Sequence, residues 1–376
     1  MPRLSLAVAR RLSDPERSAL LGRILAQDLI LRDLPVAVYV ATPRRFLRPD
    51  RLSRKRTALT NLLAMIDVAQ TVAIRGGLGL RVVAVEQLQD LPPARLVLSH
   101  HTVEDAIFAT LREKGSTVWH FKTGDLPGSL TIDAGGFSGW SALARRSIES
   151  LDLDSIALSD AQVFFEQRYA AVVGGNRSKY QQPDQTQTKM PAPPYVFVAL
   201  QTLGDMVQRQ ARIPMLEMLA MVIRRFAGTG ITVVVKRHPK CRSKRVLAAI
   251  DAARLQPHVH ITDGSIHQIL AAASALFTVN SGVGSEAMLH NVPIYCFGGA
   301  DYAPVAHKVR SGVDLIEMTT PIRPAVSDTD LVRFHAYYRQ THQTLGKDML
   351  SARVEGLFHD VFHASDRPFR AQTDPK

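Results

Sequence analysis

Short aliphatic runs alternate with longer amphipathic stretches along most of the chain. In the first half, Val36–Val40, Leu80–Val85, Arg95–Ser99, Ser116–His120 and Ser155–Leu158 predict strands, and the spacing near Arg56–Ile74 and Val103–Glu113 predicts helices between them. Such alternation requires crossover connections and therefore βαβ units around a parallel sheet. Residues 174–194 interrupt the rhythm: Gly174-Gly-Asn-Arg-Ser-Lys-Tyr180 and the Gln/Thr/Pro stretch after it are polar, Pro-rich and nearly free of aliphatics, the composition of an interdomain linker. The rhythm then restarts. Strands are predicted at Tyr195–Leu200, Ile231–Lys236, His258–Ile261, Ala275–Val279 and Pro293–Phe297, with helices at Pro214–Phe226, Ser243–Leu255, Ile266–Ala273 and Ser285–His290. Two helical stretches, Asp328–Thr341 and Lys347–His363, close the chain. The pattern predicts an α/β domain over 1–173, a linker over 174–194, a second α/β domain over 195–327, and C-terminal helices and tail over 328–376 that return toward the first domain.

Composition narrows this picture. The 376 residues are 46% hydrophobic and 21% charged, too apolar for disorder and too mixed for a fibrous protein. Cys241 and Cys296 cannot form a disulfide framework, so a reducing compartment is expected. The N-terminus has no apolar h-region before its arginines, and no run reaches the roughly 18 apolar residues of a membrane span, so the expectation is a soluble, cytoplasmic protein. Forty-six Lys and Arg against 34 Asp and Glu leave a net charge of +12, which favours polyanions or an anionic membrane. Arg44-Arg-Phe-Leu-Arg-Pro-Asp-Arg-Leu-Ser-Arg-Lys-Arg56 concentrates that charge. It reads as a solvated loop, a peripheral membrane patch or a nucleic-acid groove, although no recognisable nucleic-acid reading module accompanies it.

Four segments carry candidate chemistry. In Thr278-Val-Asn-Ser-Gly-Val-Gly-Ser-Glu-Ala287 a strand ends in a small-residue turn. Ser285 is a plausible N-cap, Glu286 falls in the first helical turn, and Gly282 and Gly284 would let a phosphate approach backbone N–H groups. An ordinary βα turn has the same texture. Val233-Val-Val-Lys-Arg-His-Pro-Lys240 ends a buried strand in a cationic cluster, with Pro239 fixing the turn after His238, which suits a phosphate or leaving group. Gln201 and Asp205 stand in a Gly-containing loop, where they line a cleft or cap the next helix. The long Gly/Pro-punctuated loop after Val118 holds Trp119, Trp140, Asp125 and Asp133, the last two being candidates for nucleophile or base.

In this order, the glycine-rich loop with Asp125, then Gln201-x-x-x-Asp205, then Lys236-x-His238-Pro239, then Asn280-Ser-Gly-Val-Gly-Ser-Glu286-Ala, the chain resembles bacterial capsule-polysaccharide biosynthesis glycosyltransferases of the KpsS/KpsC type, the β-Kdo transferases, over roughly 115–305. The resemblance implies a GT-B fold, two Rossmann-like domains facing a central cleft, with the acceptor and catalytic groups in the first domain and the nucleotide sugar in the second. It implies transfer of Kdo from CMP-β-Kdo, with retention and without a metal or other cofactor. The implied acceptor is a lipid-linked saccharide of phosphatidylglycerol type at the cytoplasmic face of the inner membrane, and nucleic acid is not an expected partner. Carried over by position, Lys236, His238, Pro239, Asn280, Ser281, Gly282, Gly284, Ser285 and Glu286 face the nucleotide, while Gln201 and Asp205 face the sugar.

Where the family carries an acidic residue before the loop glycine, this chain has Lys122-Thr123-Gly124. That departure leaves Asp133 and Asp125 as the carboxylates available for the two-step logic of retaining transfer, with His238 serving the leaving phosphate. Two alternatives share these residues: a GT-B enzyme with another nucleotide sugar, and a noncatalytic nucleotide- or polysaccharide-binding protein.

Overall fold

The computed structural model describes residues 15–47, 56–103, 105–126, 128–184 and 188–363. The chain forms two compact units, one made of 1–123, 130–136 and 344–376, the other of 124–129 and 137–343. Each is built on a sheet of six strands.

In the first unit, helix α1 (Pro15–Leu31) precedes β1 (Val36–Thr42), α2 (Arg56–Arg75), β2 (Gly79–Ala84), β3 (Leu96–His100), α3 (Ala106–Glu113), β4 (Thr117–Thr123) and β5 (Ser129–Asp133). The sheet order is β12 (Gln343–Leu345), β5, β4, β3, β1, β2, parallel from β1 to β4, with β5 antiparallel to β4. Helix α2 is long and apolar enough to cross a membrane by length and composition, although polar residues interrupt its apolar run. It is instead a core helix: Leu59, Leu62, Leu63, Met65, Ile66 and Ala69 are buried against Val38, Val40 and Leu98.

The second unit opens with α4 (Leu158–Tyr169) and continues through β6 (Tyr195–Ala199), α5 (Met215–Phe226), β7 (Thr232–Lys236), α6 (Lys244–Arg254), β8 (Val259–Thr262), α7 (Ile266–Leu270), β9 (Ala273–Thr278), α8 (Val283–Leu289), β10 (Ile294–Cys296), β11 (His307–Lys308), α9 (Gly312–Met318) and α10 (Asp328–Tyr337). Its strands run parallel in the order β11-β10-β9-β6-β7-β8. Both faces are covered. Phe197, Val234 and Leu276 point into one core, and Val196, Val198, Val233, Val235 and Phe277 into the other, which is why these strands read as unbroken apolar runs.

Three expectations change. Ser155–Leu158 is not a strand. The Ser155 hydroxyl donates to Asp152 O (2.8 Å) and Ile156 N donates to Leu153 O (3.1 Å), closing turns just before α4 starts. The compact units also depart from the borders 1–173 and 195–327. Residues 137–173 belong to the second unit, where Leu143, Leu151 and Leu153 are buried with Tyr195 and Phe197. The chain changes unit within a Gly-rich loop, with no composition break to mark the step. Finally, the polar segment 174–194 is tied into the second unit: Ser265 Oγ donates to Asn176 Oδ1 (2.6 Å), Ile266 N to Gln182 Oε1 (3.0 Å) and Gln268 Nε2 to Thr188 O (2.7 Å). Of the C-terminal helices, α10 stays in the second unit beside α4. Helix α11 (Gly346–Phe362), entered through β12 (Gln343–Leu345), returns to the first and buries Leu350, Val354, Leu357 and Phe358 in its core.

Candidate functional site

From β6 the second unit builds outward through β7 to β8, then returns to the other side of β6 for β9, β10 and β11. The sheet therefore reverses direction between β6 and β9, and the carboxyl ends of such a strand pair are where open α/β sheets bind ligands. Gln201 follows β6 and Asn280 follows β9, and the two side chains bridge this point. Gln201 Nε2 donates to Asn280 Oδ1 (3.0 Å), Asn280 N donates to Gln201 Oε1 (3.2 Å), and Asn280 Nδ2 donates to Val207 O (2.8 Å). Both are buried, so their amides form the floor of the switch point. Asp205 takes the capping role: its Oδ1 accepts from Val207 N (3.3 Å) at the start of a short turn of helix.

The 281–286 loop differs from its expected form. Helix α8 starts at Val283 with Gly282 as its cap residue, so Ser285 lies inside the helix and caps nothing. Gly284 is required by protein packing: a Cβ there would stand 2.1 Å from Tyr302 Cζ, and the buried Tyr302 hydroxyl donates to Ser281 O (2.6 Å). At Gly282 a Cβ would meet Asp125 Oδ1 at 3.3 Å. Ser281 Oγ accepts from Val283 N (3.3 Å).

Beneath this loop lies a buried polar network that the motifs did not announce. Asp125 Oδ2 accepts from Ser285 Oγ (2.7 Å), Tyr338 OH (2.8 Å) and Gln343 Nε2 (3.0 Å). Gly124 makes room for this loop, since a Cβ there would stand 2.2 Å from Ser129 Oγ. Arg339, fully buried, donates from Nη1 to Gln343 Oε1 and stacks its guanidinium over Tyr338 (4.8 Å). Among the described residues its Nε and Nη2, and Oε1 of Glu286, have no hydrogen-bond partner. Burial pushes the Glu286 carboxyl up to about 8, helped by the charge of Asp125 and opposed by a hydrogen bond with Ser178 and by Arg339 and Lys179. At neutral pH Glu286 is therefore mostly a neutral acid.

His238 follows β7. Its Nδ1 accepts from Lys240 N (3.1 Å), which in the neutral ring leaves the proton on Nε2 as a donor. Burial lowers its pKa, Asp205 opposes that, and Lys240 and Lys179 add to it, so the ring is neutral at physiological pH. Pro239, exposed, carries the chain out of the turn. Lys236 is partly consumed by structure, its ammonium donating to Asp263 O (2.8 Å) and Gly264 O (2.7 Å). Arg237 Nη1 donates to Cys241 O (2.6 Å).

The comparisons with known proteins fall on this region. Residues 165–306 match the family model of capsule polysaccharide biosynthesis proteins. That span runs from α4 past β10 and contains Gln201, Asp205, the His238-Pro239 pair and the 280–286 loop. The solved structure of Thermosulfurimonas dismutans KpsC, beta Kdo 2,4 transferase, superposes with a TM-score of 0.52 at 15% identity, covering 85% of this chain and 98% of that one. The beta Kdo 2,7 transferase of the same organism's KpsC gives 0.45 at 19% identity over 73% and 87%. Anabaena Alr3699/HepE in complex with UDP-glucose gives 0.36 at 13% identity over 79% and 76%. Comparison with curated protein sequences finds no match. The first likeness is one of fold: the chain has the GT-B architecture, two Rossmann-like α/β units, and the span matching the capsule-biosynthesis family model lies in its second unit.

The capsule-family span leaves out the two candidate catalytic carboxylates, Asp125 and Asp133. Asp125 belongs to the second unit through the network above. Asp133 lies in the first, where its Oδ1 accepts from Gly135 N (2.7 Å) and Gly136 N (3.2 Å), an Asx turn that ends β5. Thr123, standing where the family is acidic, accepts from Asn61 Nδ2 (3.0 Å). Of the basic cluster, Arg44, Arg45, Phe46 and Leu47 are described and residues 48–55 lie outside the described residues. Tyr338 and Arg339 had no sequence signal beyond the helical stretch Asp328–Thr341, and Gln343 had none, because the bonds of Tyr338 and Gln343 to Asp125 join positions more than 200 residues apart.

Proposed function

We propose that the protein is a capsule-polysaccharide glycosyltransferase that takes a nucleotide-activated sugar at the carboxyl ends of β6, β7 and β9. The observation carrying this reading is the coincidence of the family-matched span with the sheet's switch point. The donor is CMP-β-Kdo and the acceptor a lipid-linked saccharide, a reading supported by the order of motifs and by the fold shared with a beta Kdo transferase. A departing CMP phosphate needs donors and positive charge but no proton relay of its own. The neutral His238 supplies an Nε2–H, and Lys240 supplies charge. Retention requires a carboxylate at the anomeric carbon, for which Asp125 and Asp133 are the candidates. The charge of +12, with Arg44 and Arg45 on an exposed turn, supports a peripheral position on the anionic cytoplasmic face of the inner membrane.

The test is CMP release from CMP-Kdo, with and without a lipid-linked acceptor. Release is expected, and His238→Ala should lower it by about 100-fold while leaving the fold intact. Tight CMP binding without turnover would favour the noncatalytic reading. An unaltered rate in the variant removes His238 from the chemistry.

A further inference from the structure

We propose that Tyr180, in the polar segment before β6, is the positioning residue for His238, and that Ser178–Tyr180 forms a wall of the donor site. This rests on the reading of His238 as the donor to the nucleotide phosphate. His238 sits just past its strand; its carbonyl accepts from Cys241 N (2.9 Å), and along its own chain its ring is held by one hydrogen bond, from Lys240 N to Nδ1 (3.1 Å). A ring held at one atom can still tilt. The Tyr180 ring meets it at 5.0 Å and an interplanar angle of 85°, an edge-to-face arrangement that fixes the tilt. Lys240 in turn places its ammonium 4.6 Å from the Tyr180 ring centroid, so His238, Tyr180 and Lys240 close a three-membered set.

The segment has the rigidity to do this. Asn176 takes a positive φ of 47°, donates from Nδ2 to Pro183 O (2.9 Å) and accepts from Ser265 Oγ (2.6 Å); His267 Nε2 lies 2.8 Å from Arg177 O, and Gln182 Oε1 accepts from Ile266 N (3.0 Å). Residues 178–180 are thus bracketed by anchors to the start of α7. Within that bracket, Ser178 stands close enough to the Glu286 carboxyl of α8 to favour its charged form, while Tyr180 packs edge-to-face on His238 beyond β7. One irregular segment therefore touches both motif loops, which are 48 positions apart in sequence (286 − 238).

The groups acting on His238 are Asp205, which favours its charged form, and Lys240 and Lys179, which oppose it; burial, to which Tyr180 contributes, is the largest influence. The experiment is an NMR titration of His238 in the full chain for wild type, Tyr180→Ala and Tyr180→Phe, paired with steady-state CMP release from CMP-Kdo. In Tyr180→Ala the His238 midpoint should move up toward that of a solvated imidazole, and kcat should fall roughly three- to tenfold with a smaller change in KM. Tyr180→Phe, which keeps the ring, should recover both. A Tyr180→Ala midpoint and kcat equal to wild type overturn the proposal, as does a Phe variant as impaired as Ala. If Tyr180→Ala does not fold, Tyr180→Leu, which keeps bulk but not the aromatic edge, decides in its place. A wild type that releases no CMP overturns the donor reading, and the apo-protein titration still decides whether Tyr180 governs His238.

Discussion

Glu286 offers a prediction whose size follows from its surroundings. It is fully buried in the first turn of α8, with one carboxylate oxygen lacking a partner among the described residues and its proton retained to about pH 8 against an ordinary value near 4.5. Between those values the folded protein binds a proton that the unfolded chain has released. Stability from this group is therefore fully present below about pH 4.5 and is lost as pH rises toward 8, at about 1.4 kcal/mol per pH unit and on the order of 4–5 kcal/mol in all. Glu286→Gln keeps the shape of the neutral acid and cannot ionise. It should match wild type near pH 5 and exceed it progressively, by about 3 kcal/mol near pH 7. Urea unfolding at pH 5, 6, 7 and 8 measures this. The two tryptophans fall in different units, Trp119 in the first and Trp140 in the second, so a Trp119→Phe background leaves Trp140 to report the unit that holds Glu286. A difference between Glu286→Gln and its parent that stays constant from pH 5 to 8 would refute a neutral Glu286.

Three substitutions test the rest of the network. Gly284→Ala gains about 1 kcal/mol of helix propensity but drives a methyl into Tyr302, at a cost of about 1–3 kcal/mol for overpacking and a similar amount for the displaced hydroxyl; a net loss of about 2–4 kcal/mol is expected in urea unfolding. Gly282→Ala, whose nearest atom is Asp125 Oδ1 at 3.3 Å, should cost less, and equal costs at both positions would contradict the packing account. Asp125→Asn replaces charge-assisted bonds from Ser285, Tyr338 and Gln343 by neutral ones and should destabilise the second unit by about 2 kcal/mol; unchanged stability would mean that the charge is not structurally required.

Periodicity and composition by themselves determined the two α/β units, most strands of both sheets, and the places where chemistry could stand. They sufficed because a parallel sheet covered on both faces needs continuous apolar strands, such as Val233 to Val235, and because polar or small residues begin where those strands end, as at Gln201, Lys236 and Asn280. Local pattern could not choose between roles. Asp205 caps a helix, Asp133 closes a turn, Gly284 accommodates Tyr302, and Lys236 ties two carbonyls, yet each has a composition that equally suits a ligand. It also read as a linker the segment before β6, whose polarity reflects side chains such as Asn176, Gln182 and Tyr180 that pair with the start of α7 and with His238. Only the tertiary structure decided these matters. The partners of Asp125 at 285, 338 and 343 and of His238 at 180 are fixed by long-range packing, and it is burial among those partners that makes Glu286 a neutral acid and His238 a neutral donor.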